Sequence, residues 1–484
     1  MTYSDSRSHG VRSMAGDEST TTAVDEQPDV HPVDLEPSLI GPQLYTSRRL
    51  RLRVDVATIT CWLIFLLYAI PAPLIVPQMT FAGRPALLMG LALFAWWVVA
   101  RLSPTLLMVG RQPLRWAALG YLLSILLAYI AGLMRGLPTL EANRQDFTLL
   151  LTLEWLGLIL MVADGIPNWA RLRTVLRTLV CLATFLALIG IAQSVLKYDV
   201  TKWLVVPGLE LKGELTDFQA RGDDGRFRVA GTTVHSIEFA TVLAMTIPYA
   251  IHFAKFAHTR AARRGFAVAT FLMAGAIPMA ISRTGVLALG SAMAVMFVLA
   301  WNWRFRYNFL FMSVALVGVL TIARPGLLGT LKSMFLWADA DPSVAGRTDD
   351  YAHVSAWFSQ RPWLGRGPGT LIPDLYLILD NQWLLTLVTG GIIGVAALAL
   401  LHITCTTLAV LSFRRSHTDE DKHLCAALIS TQIVAVLVGA TFDSLSFTTY
   451  SFTLALLCGA SGAAWRLTHP TRTIRTSTVR RLLE

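Results

Sequence analysis

The residues best equipped for chemistry stand at the edges of apolar runs. In LDNQWLLTLVTGGIIG, Asp380 and Asn381 sit at the mouth of a span that is otherwise almost wholly apolar. In RFRVAGTTVHSIEF, Arg228 precedes a Gly-Thr-Thr turn, and His235 and Glu238 share one helical face where the next apolar run begins. AISRTG sets Arg283 between two runs joined with hardly any loop, while GRTDDY and RPWLGRGPGT supply Arg347 and Arg366. Carboxylates and imidazoles take protons from attacking hydroxyls. A guanidinium is a permanent planar cation that grips phosphate oxygens through paired hydrogen bonds. Ionisable groups at membrane depth are costly and usually face an interior or a wet cavity. Each residue also has a plainer reading: Asp380 as a helix N-cap, Arg283 as a side chain snorkelling to lipid phosphates, His235 and Glu238 as a pair solvated among headgroups.

The elements that position these residues are read from composition. The chain has 484 residues, 54% hydrophobic and 15% charged, against about 25% charged in soluble proteins. Its mean hydropathy is +0.55. Apolar runs of roughly twenty residues recur, as bilayer-spanning helices require. The expected fold is an all-α polytopic membrane protein with about 12 transmembrane helices. The spans are expected at 54–71, 85–100, 116–134, 147–163, 175–195, 235–254, 265–282, 284–301, 308–323, 383–411, 424–441 and 446–465.

Charge orients them. Arginines and lysines crowd alternate connections, including Arg101, Arg111 and Arg115, then Arg171, Arg173 and Arg177, then Lys255, Arg260, Arg263 and Arg264. The short opposite connections are nearly free of them. By the positive-inside rule both termini are cytoplasmic. Two long extracytoplasmic loops result, about 196–234 and 324–382. Residues 1–47 form an acidic polar tail unable to bury a core, residues 48–466 a membrane domain, and residues 467–484 a basic tail. The net charge of +10 is therefore topological, with no nucleic-acid partner implied.

Within the second loop, Thr348–Ser359 has helical periodicity, with Tyr351, Val354, Trp357 and Phe358 on one side. This predicts a short amphipathic helix along the membrane surface, with Asp349 and Asp350 in its first turn. Gly390, Gly394 and Ala397 form a small-residue strip suited to a neighbouring helix. The five cysteines lie within apolar spans without metal-ligand spacing and read as small buried hydrophobes. Glu154 and Asp443 are deeper acids with no assigned role.

Taken in order, RVAGTTVHSIEF, SRTG, GRTDDY with RPWLGRGPG, and DNQWLLTLVTGGIIG resemble the O-antigen ligase and polymerase superfamily of bacterial membrane glycosyltransferases, from about residue 140 to 440. The ligases carry a histidine followed by asparagine and spaced small residues. Here Asn381 matches, but Asp380 occupies the histidine position, which tilts the resemblance towards a glycan polymerase or related transferase. The resemblance implies a polyprenyl-diphosphate-linked donor glycan, an acceptor glycan or glycolipid, and action on the outer face in cell-envelope or exopolysaccharide assembly. It implies no nucleotide sugar, metal or other cofactor. Its partners would include the lipid bilayer and a chain-length regulator or other glycan-assembly proteins.

On that resemblance Arg228 and Arg283 would hold the diphosphate, with Arg347 the matching arginine of the large loop. Asp380 is the first choice of general base, with His235 and Glu238 as alternatives. Asn381 and Arg366 would position the acceptor or the loop. Two other classes stay open: a lipid-linked glycan flippase or exporter, and a peptidoglycan polymerase of the shape, elongation and division type.

Overall fold

The protein is described by a computed structural model covering residues 55–79, 83–102, 112–204, 206–212, 220–221, 226–300, 303–323, 342–373 and 375–469. The expected tail 1–47, the loop segment 324–341 and the chain from residue 470 lie outside the described residues, as do the side chains of residues 342–350.

Each expected span coincides with a helix: α1 (Val56–Ala69), α2 (Pro85–Leu102), α3 (Pro113–Met134), α4 (Thr139–Gly165), α5 (Trp169–Leu196), α6 (Ser236–Phe256), α7 (Arg260–Ala276), α8 (Arg283–Leu299), α9 (Trp303–Ala323), α11 (Gln382–Arg415), α12 (Asp419–Gly439) and α13 (Thr448–Thr468). A further helix, α10 (Pro342–Gln360), lies in the second long loop. Among these, seven (α2 to α6, α11 and α12) are long and apolar enough to cross a membrane. This is a multi-pass membrane protein. Side-chain oxygens of Asp55, Asn168, Thr259, Ser282, Asn381 and Thr418 accept first-turn backbone N–H groups and so define where their helices begin. α13 runs to Thr468, so the expected basic tail starts as helix.

The packing centre is α4, α6 and α13. α13 is rich in Gly, Ala and Ser and buried along most of its length. A Cβ added at Gly459 would fall 2.7 Å from the Val162 side chain, and one at Gly462 2.9 Å from Ala163, so these glycines set how closely α13 approaches α4.

At one end, the basic connections are tied down by ion pairs. Asp164 is fully buried and accepts from Arg101, from Arg115 at 2.8 Å and from the Trp97 indole at 3.0 Å. Arg171 pairs with Asp55, and Arg173 with Glu420 and Asp421 at 3.2 and 2.6 Å. A buried carboxylate stays ionised only with such partners. At the other end, Arg84 donates to the Leu67 carbonyl at 2.8 Å and to Thr449 Oγ1 at 3.1 Å, joining the end of α1 to the starts of α2 and α13.

The first long loop is not featureless. A 3-10 turn spans Val200–Trp203, and β1 (Leu74–Ile75) pairs antiparallel with β2 (Glu210–Leu211) in the register Leu74 with Leu211. β3 (Ala220–Arg221) pairs with β4 (Arg226–Phe227). In the second loop, α10 begins six residues before the expected Thr348, so Asp349 and Asp350 lie past its first turn. Val354 is buried in a small cluster with Leu371, Leu379 and Val388, and Trp357 packs against it, whereas Tyr351 is exposed. The packed face of α10 therefore meets its own loop and the start of α11.

Candidate active site

His235 and Glu238 open α6, but in roles different from those expected. His235 is the N-cap, its Nδ1 accepting the Ile237 N–H at 3.1 Å. Glu238 is fully buried. One of its oxygens accepts the Val234 N–H at 3.0 Å, and the other accepts those of Thr449 and Tyr450 at 2.6 and 3.1 Å. One carboxylate thus caps the first turns of both α6 and α13. Glu238, expected as an alternative base, thus carries three backbone donors on its two oxygens and serves as a helix cap.

Asp380 is likewise not the cap of α11. That role belongs to Asn381, whose Oδ1 accepts the N–H groups of Trp383 and Leu384 at 3.0 and 3.1 Å, while its Nδ2 donates to the Ala440 carbonyl at 3.2 Å. Gln382 adds two more ties to the same link: its N–H donates to the Phe442 carbonyl at 3.2 Å and its Oε1 accepts the Leu445 N–H at 2.9 Å. The start of α11 is therefore clamped to the link between α12 and α13, and Asp380 is brought within electrostatic range of Asp443.

Asp443 is the residue that sequence reasoning left without a role. Burial pushes its carboxyl up to about 6, and the Asp380 carboxylate adds to that shift, while Ser446 and His235 pull the other way. Asp443 also forms part of the wall of a cavity of about 430 Å³ between α3, α4, α11, α13 and residues 368–379 of the loop, within the usual size range of small-molecule sites. The signal was present in TFDSLSFTTYS, an acid among hydroxyl residues between two apolar runs.

Arg228 and Arg283 form a second group. Residues 229–233 of the RVAGTTVH segment are buried and pinned: Gln193 accepts the Gly231 N–H at 2.8 Å, and Thr232 Oγ1 donates to the Tyr68 carbonyl at 2.7 Å. This holds Arg228, which donates to the Ile281 carbonyl at 3.2 Å. Ile281 has φ 49°, a left-handed conformation that β-branched residues avoid. It immediately precedes Ser282, the cap of α8, and Arg283, the first residue of α8. Arg228 and the Arg283 turn are thus joined at the N-terminal ends of α6 and α8, and Gly285 packs against Ala240 of α6. The Arg228 guanidinium bond to the Ile281 carbonyl helps hold this strained turn. His235, seven residues after Arg228, lies within electrostatic range of Asp443. The walls of the cavity are made by neither Arg228 nor Arg283. Arg347 lies on α10, and its side chain is outside the described residues.

Arg366 acts within the loop. Its guanidinium lies 4.5 Å from the Tyr376 ring centre, 5.4 Å from that of Trp357 and 4.0 Å from Glu141 of α4. Arg135 and Tyr376 also bond to Glu141. The backbone N–H groups of Arg366 and Gly367 donate to Val388 and Thr389 at 2.9 and 3.0 Å, and those of Ile392 and Ile393 donate to Pro362 and Trp363 at 2.8 and 3.3 Å. The loop thereby satisfies groups released where α11 breaks at Gly391, with φ 64° and ψ −166°. A Cβ there would lie 2.3 Å from the Trp363 backbone, whereas at Gly390 the nearest contact is 3.9 Å. The glycines admit a loop rather than a second helix.

Residues 268–399 match the protein family described as O-antigen ligase. No curated protein matches the chain. The matched segment contains Arg283, Arg347, Arg366, Asp380 and Asn381 and the break at Gly391, while Arg228, His235, Glu238 and Asp443 lie outside it. Family members of this kind act on lipid-linked glycans and acceptors. That segment, with its arginine turn and its loop seated in a broken helix, is an O-antigen ligase domain within the chain and supports a place in the O-antigen ligase/polymerase superfamily.

Proposed function

We propose that the protein is a glycosyltransferase that moves a glycan from a polyprenyl diphosphate to a sugar hydroxyl at the extracytoplasmic face, as a polysaccharide polymerase or ligase. The observation that carries this reading is the pairing of Asp380, inside the O-antigen ligase segment, with Asp443 on a cavity wall. Two neighbouring carboxylates, one with a raised pKa, are the arrangement in which one can take a proton near neutral pH.

In the proposed reaction the acceptor hydroxyl gives its proton to the carboxylate pair, with Asp443 the member facing the cavity. The oxygen attacks the anomeric carbon of the donor. The bond from that carbon to the diphosphate oxygen breaks, and its electron pair leaves with the lipid diphosphate. Arg228 and Arg283, with Arg347 from the loop, stabilise the charge that develops there. Asp380 tunes Asp443 by like-charge repulsion. His235 lies within electrostatic range of Asp443, and Arg366 and Asn381 hold the loop and the mouth of α11. A single in-line displacement inverts the anomeric configuration.

The test is transfer by purified, reconstituted protein supplied with a polyprenyl-diphosphate glycan and an acceptor, with linkage stereochemistry read in the product. A new glycosidic bond of inverted configuration is expected. A flippase or exporter forms no bond even in the unmutated protein, and retained configuration excludes the single displacement. A peptidoglycan polymerase would require a peptide-bearing lipid-linked disaccharide as donor.

A further inference from the structure

The cavity that carries Asp443 on its wall has a lining with a particular hydrogen-bonding sense. Thr152 of α4 donates its hydroxyl hydrogen to the Thr148 carbonyl at 2.8 Å, Thr389 of α11 donates to Leu385 at 2.7 Å, and Ser451 of α13 donates to Thr448 at 3.2 Å. All three line the cavity. With their hydrogens committed to their own helices, these oxygens offer lone pairs only. The Asp443 carboxylate adds a further acceptor. Thr148 and Thr386 also line it with hydroxyls donated to their own helices, Gln382 is tied to Thr386 and Leu445, and Ser446, Thr448 and the Arg144 guanidinium complete the polar part of the wall. The rest is ring and aliphatic surface, including Trp155, whose indole N–H is already spent on the Ser451 carbonyl at 2.7 Å.

A cavity rich in acceptors, with apolar faces between them, fits a ligand carrying several O–H donors around an apolar ring face. A hydrocarbon chain would desolvate the same oxygens and return nothing. We propose that this cavity is the acceptor subsite, taking a pyranose whose hydroxyls bond to Thr152, Thr389 and Ser451 and whose attacking hydroxyl lies against Asp443. The proposal rests on the transferase reading for its chemistry, but its location rests on the cavity. It divides the site: donor diphosphate on the Arg228 and Arg283 side, acceptor sugar between α3, α4, α11 and α13. It also makes Thr152 and Thr389 specificity-determining residues.

The test uses the full chain in lipid nanodiscs free of sugar detergents, with methyl pyranosides of the common neutral hexoses as probes and saturation-transfer NMR as readout. At least one pyranoside is expected to bind. Thr152→Val and Thr389→Val remove one acceptor each at nearly constant volume and should weaken that binding by about fivefold apiece. Thr152→Ser and Thr389→Ser should restore it, which separates hydroxyl loss from misfolding. Farnesyl diphosphate should leave the sugar signal in place. Absence of any pyranoside signal, indifference to both valine substitutions, or displacement of the sugar by farnesol overturns the subsite.

Transfer assays separate the two claims. If the unmutated protein joins sugars but Thr152→Val and Thr389→Val leave the acceptor KM unchanged, the subsite falls and the transferase reading stands. If it joins none while binding still follows Thr152 and Thr389, the transferase reading falls and the cavity remains a sugar site.

Discussion

Replacing Asp380 and Asp443 singly by asparagine, and following transfer against pH, tests the proposed base. With the Asp443 carboxyl at about 6, roughly nine-tenths is ionised at pH 7 and about one-tenth at pH 5. A base must be ionised to accept the hydroxyl proton, so the rate should rise with pH through about 6. It should be about tenfold lower at pH 5 than on the plateau. Asp443→Asn removes the proton acceptor and should cost roughly 10²–10⁴ in kcat, the usual range for one general base. Asp380→Asn removes a nearby negative charge that raises the Asp443 pKa. It should therefore keep measurable turnover and move the acidic limb to lower pH. The assay is initial-rate formation of the glycosidic bond in proteoliposomes at saturating donor, from pH 4.5 to 8. An Asp443→Asn enzyme with normal kcat, or an acidic limb that stays put in Asp380→Asn, would refute the assignment. Loss of activity only in Asp380→Asn would return the role to Asp380.

Further substitutions test the scaffold. Gly391→Ala should destabilise the protein by about 1–3 kcal/mol, since it combines a positive φ with a backbone collision; thermal unfolding should show Gly390→Ala nearly neutral beside it. Glu238→Gln replaces one acceptor oxygen by an amide that faces backbone donors, costing about 1–3 kcal/mol in stability without moving the acidic limb of the pH profile. Arg228→Ala should raise the donor KM by roughly tenfold to a hundredfold, as loss of a charge-assisted contact predicts, with the acceptor KM unchanged. Arg366→Ala should speed hydrogen exchange in residues 361–373, because the guanidinium between Trp357 and Tyr376 is a strut of that loop.

What the sequence alone determined is what depends on composition along the chain. Transfer of apolar runs to lipid requires only their length and hydrophobicity, so the helices, their approximate limits and the basic character of one set of connections were all legible. The motif order of SRTG, GRTDDY and DNQW also sufficed to point to the family. The roles of individual acids were decided by tertiary structure. Glu238 looks like a membrane-depth base until α13 sets the Thr449 and Tyr450 N–H groups on its oxygen. Asp380 looks like a cap until Asn381 takes that place. Asp443 acquires a raised pKa only because the α11 start folds onto the α12–α13 link, and Gly391 breaks its helix because a loop far from it in the chain supplies the missing bonds. A proton affinity and a hydrogen-bond partner are properties of the space around a side chain, and that space is built from segments the linear order does not place together.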